Sequence, residues 1–189
     1  MTLPIRKKMQ IKTERLILKA YSEQDIDTLI DLLTDPEVTG TFMVPEMESR
    51  NCAEKLVRKL IDFSQPDDTK HLEYGIYLSE KLIGFINDCG AEDDEIEIGY
   101  VIHPQYQRHG YATEAASAVL DFMFNEVEID KIMTSAATIN PASWRLMEKL
   151  GFIRTVEKTS TYFDDDKNIL KSYCYECDNE KFNNRNINK

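Results

Sequence analysis

Residues 95–124 read EIEIGYVIHPQYQRHGYATEAASAVLDFMF, and this stretch decides the fold that we expect for the chain. Its first part has large apolar or aromatic residues at every second position: Ile96, Ile98, Tyr100 and Ile102. This period predicts a strand with one face on a core, and Pro104 ends its ladder because proline has no N–H to donate. From Gly110 onward, apolar residues follow with helical spacing: Ala112, Ala115, Ala116, Val119, Leu120 and Met123. The stretch therefore predicts a strand, a loop and a helix.

The loop before this helix has the form Q-x-x-G-x-A, from Gln107 to Ala112. The first N–H groups of a helix have no partner within the helix and bind phosphate oxygens readily. Gly110 would let a diphosphate approach the backbone, and Ala112 is small enough not to block it. Taken alone, the pattern also fits an ordinary tight turn, so a phosphate site and a turn are both open interpretations.

The composition predicts one globular domain. The chain has 189 residues, of which 42% are hydrophobic, and no apolar run approaches the length of a membrane span. We expect the domain to cover residues 1–178 and the polar residues 179–189 to be a disordered tail. The N-terminus has no apolar stretch typical of a secretory signal, so the expected location is cytoplasmic, without a membrane partner.

The charge balance narrows the classes of partner. The net charge is −11, with 34 acidic and 23 basic residues, which argues against a nucleic-acid partner. An acidic protein that binds a polyanionic cofactor needs backbone N–H groups and a few local cations, of which Arg108 is one candidate. The same acidic surface would attract a cationic amine, although it also fits simple solubility.

Strands and helices interleave along the rest of the chain. Beside the central strand, we expect strands at residues 11–19, 72–78, 82–89, 131–138, 152–163 and 168–178. Beside the central helix, we expect helices at residues 22–34, 49–63 and 140–150. This order predicts an α/β or α+β architecture in which about seven strands form a mixed sheet, with about four helices on its two faces.

Three motifs in this order resemble those of the GNAT superfamily of N-acetyltransferases. The loop, preceded by His103-Pro104 and followed by Thr113-Glu114-Ala115, is similar to the family's acetyl-CoA signature. The block Asn140-Pro141-Ala142-Ser143 with Glu148-Lys149-Leu150-Gly151-Phe152 resembles its next motif. Thr13-Glu14-Arg15-Leu16-Ile17-Leu18 resembles the start of the branch that acetylates ribosomal-protein N-termini. The resemblance spans roughly residues 10–178.

The resemblance implies a mostly antiparallel sheet that splays apart at the central strand, with the pantetheine arm of acetyl-CoA lying as a pseudo-strand in the gap. It implies acetyl-CoA as the co-substrate and a set of contacting residues: Tyr100, Val101, Ile102, His103, Gln107, Arg108, His109, Gly110, Tyr111, Ala112, Thr113 and Asn140. The contacts from residues 100–103 are expected from the backbone. In the family, the segment 37–45 borders the acceptor pocket, although its residues alone also fit an ordinary loop.

Acetyl transfer to an amine needs a base and benefits from an acid. We predict Glu97 as the base, because it lies on the central strand just before the loop and faces away from the apolar residues. Glu95 shares that face and His103 also has suitable chemistry, while a solvent-facing role for Glu97 is the plain alternative. No residue pattern calls for a metal, since the pair Cys174 and Cys177 points to opposite faces of a strand, and free thiols are the expected state.

The residue that would act as the acid differs from the one found in many family members. They carry a tyrosine seven residues after the asparagine, and this chain has Met147 there, which cannot donate a proton. The ribosomal-protein branch instead uses a serine three residues after the asparagine, matched here by Ser143. We therefore predict Ser143 as the acid and Asn140 as a ligand of the pantetheine amide; helix capping is the alternative for both. Trp144 is expected to serve packing.

The sequence as a whole predicts direct acetyl transfer from acetyl-CoA to a primary amine, either a peptide N-terminus or a small amine. Two alternatives stay open. A CoA-binding regulatory module that has lost turnover is favoured by Met147. A nucleotide-phosphate binder is disfavoured because no lysine of the phosphate-loop type follows Gly110. The oligomeric state is not determined by the sequence, and a homodimer is one candidate assembly.

Overall fold

The strands of this computed structural model form one sheet. The structure describes residues 9–42, 47, 49–92, 95–163 and 169–185. Within them lie eight strands: β1 (Ile11–Lys12), β2 (Leu16–Lys19), β3 (Glu73–Leu78), β4 (Lys81–Glu92), β5 (Glu95–Ile102), β6 (Lys131–Ala137), β7 (Ile153–Phe163) and β8 (Ile169–Asp178). Their order in the sheet is β1-β2-β3-β4-β5-β6-β8-β7. Each neighbouring pair is antiparallel except β5 and β6, which are parallel.

Helices cover both faces of the sheet. They are α1 (Ile26–Thr34), α2 (Pro36–Thr39), α3 (Arg50–Ser64), α4 (Tyr111–Asn125), α5 (Pro141–Lys149) and α6 (Asn179–Asn184). One apolar cluster joins α4 to the Ile96 and Ile98 side of the sheet. A second cluster joins α1 and α3 to the opposite side, where Phe85 and Val101 are buried. The two-residue period of β5 and the helical period of α4 thus meet in one core, which confirms the predicted mixed architecture.

The sheet separates at the middle of β5, as the resemblance implied. Parallel pairing with β6 includes only Glu95 to Glu97, opposite Lys131 to Met133. Both strands continue beyond this point, β5 to Ile102 and β6 to Ala137, each bonded to its outer neighbour. The inner edges of the two strands are therefore left facing a gap.

The structure corrects the predicted numbers of strands and helices. The segment 11–19 forms two strands instead of one, because the chain turns where Thr13 N donates to Leu16 O over 3.0 Å. A helix also begins directly after α1, where the loop segment was expected. Pro36 occupies its first turn, and the Asp35 carboxylate accepts from Glu37 N over 2.8 Å. Residues 43–45 of that segment lie outside the described residues.

The C-terminal segment is a further correction. Residues 179–184 form α6 instead of a disordered tail, with Asp178 as the N-cap that accepts from Lys181 N over 2.8 Å. The aromatic side chain of Phe182 is only 2% exposed and packs against Phe124 of α4. This buried ring explains the order, since a polar composition alone would not hold the segment against the body. Residues 186–189 lie outside the described residues.

Candidate active site

A cavity of about 570 Å³ lies in the gap between β5 and β6. Its walls include residues 99–102 of β5, residues 134–136 of β6 and the start of α5. At the closed end, Thr134 Oγ1 donates to Ile98 O over 2.9 Å, directly after the last paired residues. The backbone groups on the inner edge of residues 99–102 can pair with an extended ligand, as an added strand would.

The loop before α4 forms one end of this cavity. Gly110 is its N-cap and has a φ of 82°, a left-handed conformation that glycine adopts without strain. Before it, Gln107 Nε2 donates to Ile102 O over 3.1 Å and ties the loop to the end of β5. Because the N-cap is a glycine, it offers no side chain to the N–H groups at the start of α4. They are thus available to an anion at the positive end of a fifteen-residue helix.

The N-terminal segment clamps the start of α4 from outside. Arg15 Nε donates to Glu114 Oε2 over 2.6 Å, and Arg15 Nη1 donates to His109 O over 2.9 Å. Thr13 Oγ1 donates to the other oxygen of Glu114 over 2.5 Å. Partial burial works to raise the pKa of Glu114, but the hydrogen bonds from Thr13 and Arg15 outweigh it and lower that pKa. The clamp fixes the loop that would hold a phosphate.

A pair of hydroxyl groups lies on the wall formed by β5 and α5. Tyr100 Oη and Ser143 Oγ are 2.9 Å apart, and Tyr100 Oη also donates to Ser143 O over 3.3 Å. Burial raises the pKa of Tyr100 to about 12, against the opposing effect of the Ser143 hydrogen bond. The phenol is therefore protonated at neutral pH and shares a hydrogen bond with the Ser143 hydroxyl.

A carboxylate reaches the site from the opposite face of β5. Ser135 of β6 lines the cavity, and its Oγ donates to Glu97 Oε1 over 2.8 Å. Glu95, the alternative base, instead binds Lys131 Nζ over 2.8 Å. Because alternate strand residues point to opposite faces, Glu97 and Tyr100 approach the gap from its two sides. A carboxylate and a pair of hydroxyl groups thus lie on opposite sides of the same opening.

Most of the predicted site residues line the cavity. They are Tyr100, Val101, Ile102, Gln107, Arg108, Gly110, Tyr111, Ala112, Thr113, Asn140 and Ser143. Asn140 also acts as the predicted N-cap of α5, since its Oδ1 accepts from Ser143 N over 3.1 Å. Met147 lines the cavity too, in the place of the tyrosine common in the family, and is 1% exposed.

Three predicted site residues do not line the cavity. Glu97 reaches it only through Ser135. The N–H of His103 is bonded to Ile83 O over 2.8 Å, and its Nδ1 accepts from Gln105 N over 3.2 Å, so both groups serve the fold. The His109 ring is stacked on Tyr111, with 5.7 Å between centroids. These contacts fix His103 and His109 at the two ends of the loop, outside the lining of the cavity.

Sequence reasoning missed several residues that lie at the site. Ser135 carries no local signal, since a serine on a predicted strand is ordinary. Phe42, by contrast, lies in the segment 37–45 that was expected to border the acceptor pocket. It lines the cavity, and its ring meets that of Phe85 edge-on at 5.5 Å. Arg15 lay in a quoted motif, but only its contact with Glu114, 99 residues away, places it beside the loop.

Metal ligands, cysteines and helix lengths in the described ranges bear on other kinds of site. No group of three or more His, Cys, Asp or Glu residues there is arranged to hold a metal ion. Cys174 and Cys177 lie on β8, and none of the four cysteines is in a disulfide. None of the helices in those ranges has both the length and the apolar character needed to cross a membrane.

Comparison with known proteins agrees with this geometry. The chain is 28% identical over 170 residues to the uncharacterized N-acetyltransferase YoaA of Bacillus subtilis (strain 168), covering 88% of each chain. Its fold matches that of RimL, a ribosomal L7/L12 alpha-N-protein acetyltransferase in complex with coenzyme A, with a TM-score of 0.78 at 16% identity, covering 90% of this chain and 98% of RimL.

A second solved structure has the same fold. Spermidine N-acetyltransferase from Vibrio cholerae, in complex with CoA and spermine, gives a TM-score of 0.77 at 20% identity over 91% of this chain and all of that one. The model of the acetyltransferase (GNAT) domain matches residues 15–153. Since this match spans most of the chain, the protein is a member of the GNAT acetyltransferase family.

Proposed function

We propose that the protein is an acetyl-CoA-dependent N-acetyltransferase that transfers the acetyl group directly to a primary amine. The observation that carries the proposal is the gap between β5 and β6, with the uncapped start of α4 at one end. The gap offers backbone groups to the amide-rich pantetheine arm, and the helix start offers N–H groups to the diphosphate. The residues present therefore fit acetyl-CoA.

Glu97 is the proposed base. Its hydrogen bond from Ser135 places the carboxylate beside the cavity, whereas the carboxylate of Glu95 is bound to Lys131. A protonated amine entering from this side would lose its proton to Glu97 through Ser135 or an intervening water. Deprotonation is necessary because an α-amino group titrates near ~8 and a lysine side chain near ~10.4.

Ser143 is the proposed acid for the departing thiolate. Its hydroxyl is held by Tyr100 Oη at 2.9 Å on the other side of the gap from Glu97. This arrangement separates proton removal from proton delivery, so each group can act on its own partner. Tyr100 is a positioning residue in this scheme, and it also keeps a proton available to Ser143.

The acceptor is proposed to be a peptide N-terminus or a small amine. RimL and the spermidine N-acetyltransferase, which share the fold, act on these two kinds of amine respectively. The cavity wall near α2 supports a positively charged acceptor, since it carries the exposed carboxylate of Glu37 beside Val38 and Phe42. A carboxylate beside apolar side chains favours a cationic group on a partly apolar molecule.

A panel assay tests this function. The protein is incubated with acetyl-CoA and with peptides bearing N-terminal alanine or serine, free amino acids, polyamines or aminoglycosides, and CoA release is measured. Each peptide is matched with its Nα-acetylated form as the control. We expect turnover with at least one free amine and none with the blocked forms.

The same assay decides the alternative of a CoA-binding module without turnover. That alternative is supported by Met147, which lies in the cavity where the family often carries a proton-donating tyrosine. CoA binding without release from any acceptor would establish the module and refute the enzyme. Binding of nucleotides in preference to CoA would refute both.

A further inference from the structure

A second cavity, of about 370 Å³, lies on the outer side of the start of α4. It shares Gly110, Thr113 and Lys149 with the larger cavity, so the two meet at the loop that we assign to the diphosphate. Its far wall is formed by Ser117 of α4 and by Arg185, just beyond α6. A ligand whose diphosphate lies at the loop would extend its next groups into this space.

The second cavity is positively charged. Arg15, Lys149 and Arg185 reach it, against the single carboxylate of Glu114 among its described lining residues. The chain as a whole carries a net charge of −11, so this local excess of positive charge is opposite in sign to the charge of the whole protein. Cations gathered around a cavity in an acidic protein favour a multiply charged anion there.

Arg185 is held in place by the fold. Its guanidinium lies 3.1 Å from the centroid of the Phe182 ring, and its Nη2 donates to Ser117 Oγ over 3.0 Å. Burial lowers the pKa of Arg185, but an arginine remains protonated in proteins. The side chain is therefore a fixed positive charge at the edge of the cavity.

A glycine of the second motif allows α6 to dock there. Gly151 has a φ of 93°, and a Cβ added to it would lie 2.8 Å from Lys181 O. Only a residue without a side chain lets the α6 backbone come this close to the end of α5. The motif thus positions Arg185 as well as ending its own helix.

We infer that the second cavity binds the ribose 3′-phosphate of CoA, with Arg185 and Lys149 as its ligands. The inference rests on the proposed function and names a further contact of the same co-substrate. A phosphomonoester carries a charge of about −1.5 to −2 at neutral pH, more than either group of a diphosphate. Arg185 offers a planar fork for its oxygens, and Lys149 is exposed beside it. Arg15 is bonded to Glu114 and contributes only its field.

The test compares the binding of CoA and 3′-dephospho-CoA by isothermal titration calorimetry. The variants are Arg185→Met, which keeps an unbranched stem over Phe182, and Lys149→Ala. The control is Lys59→Ala, an exposed lysine of α3 away from both cavities. Thermal denaturation without ligand shows which variants are folded. If Arg185→Met does not fold, the test rests on Lys149→Ala, because Lys149 is exposed and its replacement should not disturb the fold.

We expect wild type and Lys59→Ala to bind CoA about tenfold more tightly than 3′-dephospho-CoA, since only CoA offers a phosphomonoester for charge-assisted hydrogen bonds. Each cavity variant should lose most of this preference while binding 3′-dephospho-CoA as wild type does. Equal affinity of wild type for both ligands, or an unchanged preference in both folded variants, would overturn the inference alone. Failure of wild type to bind either ligand would overturn the proposed function with it.

Discussion

Replacing Ser143 by alanine should slow catalysis while leaving the fold intact. The substitution removes the hydroxyl that lies 2.9 Å from Tyr100 Oη, but the second acceptor of Tyr100, the main-chain oxygen of residue 143, remains at 3.3 Å. The buried phenol therefore keeps a partner. We expect a loss of only about 0.5–1.5 kcal/mol in the free energy of unfolding, the value of one ordinary hydrogen bond.

The catalytic effect should be larger. A positioned proton donor contributes at least ~10²-fold, or about 2.7 kcal/mol of transition-state stabilisation. Proton delivery matters only as the thiolate departs, so kcat should fall by about this factor while the affinity for acetyl-CoA stays near wild type. The assay is steady-state CoA release with saturating acetyl-CoA, beside calorimetric binding of CoA and urea denaturation.

Tyr100→Phe extends the test to the pair of hydroxyl groups. If Tyr100 acts through Ser143, the double variant should have nearly the kcat of Ser143→Ala alone, so the two effects should not add. Tyr74→Phe is the matched control, because it removes a tyrosine hydroxyl that bonds to Met9 O over 3.1 Å, away from the cavity. An unchanged kcat in Ser143→Ala would refute the reasoning and leave Ser143 as a residue of the helix.

Three further substitutions test the remaining parts of the site. Glu97→Gln should lower kcat/KM by about 10²-fold near neutral pH, and the loss should be smaller at high pH, where the amine is already neutral when it binds. Glu95→Gln is the control. If the pH profile of Glu97→Gln overlays that of wild type, Glu97 has no part in the mechanism. Gly110→Val forces a branched side chain into a φ of 82° and should abolish the rise in Tm that CoA causes in wild type, so a retained rise would contradict the loop assignment. For Glu114, the folded state lowers the pKa, so its contribution to stability is present above the unfolded pKa and is lost as pH falls through the folded one. Glu114→Gln should flatten this acid dependence in urea denaturation, and an unchanged slope would show that the clamp carries no charge-dependent stability.

The sequence alone determined the elements that depend on local rules. The alternation from Glu95 to Ile102, the turn at Gly110 and the helical spacing beyond it are each set by neighbouring residues, so the strand, loop and helix appear where expected. The N-cap of α5 at Asn140 follows for the same reason. These elements also carry most of the predicted cofactor residues, because a helix start and a strand edge bind through their own backbones.

Contacts between distant segments were decided only by the tertiary structure. The residue at which β5 and β6 separate, the bond of Arg15 to Glu114 and the different partners of Glu97 and Glu95 all depend on where the sheet brings other strands. The order of α6 depends likewise on a core that accepts Phe182, which outweighs the polar composition of its neighbours. Local periodicity indicates which face of a strand or helix is buried, but it does not indicate which distant residue will lie opposite that face. The hydrogen bond between Tyr100 and Ser143, the link from Glu97 to Ser135 and the second cavity therefore became visible only when the packed chain set their distances.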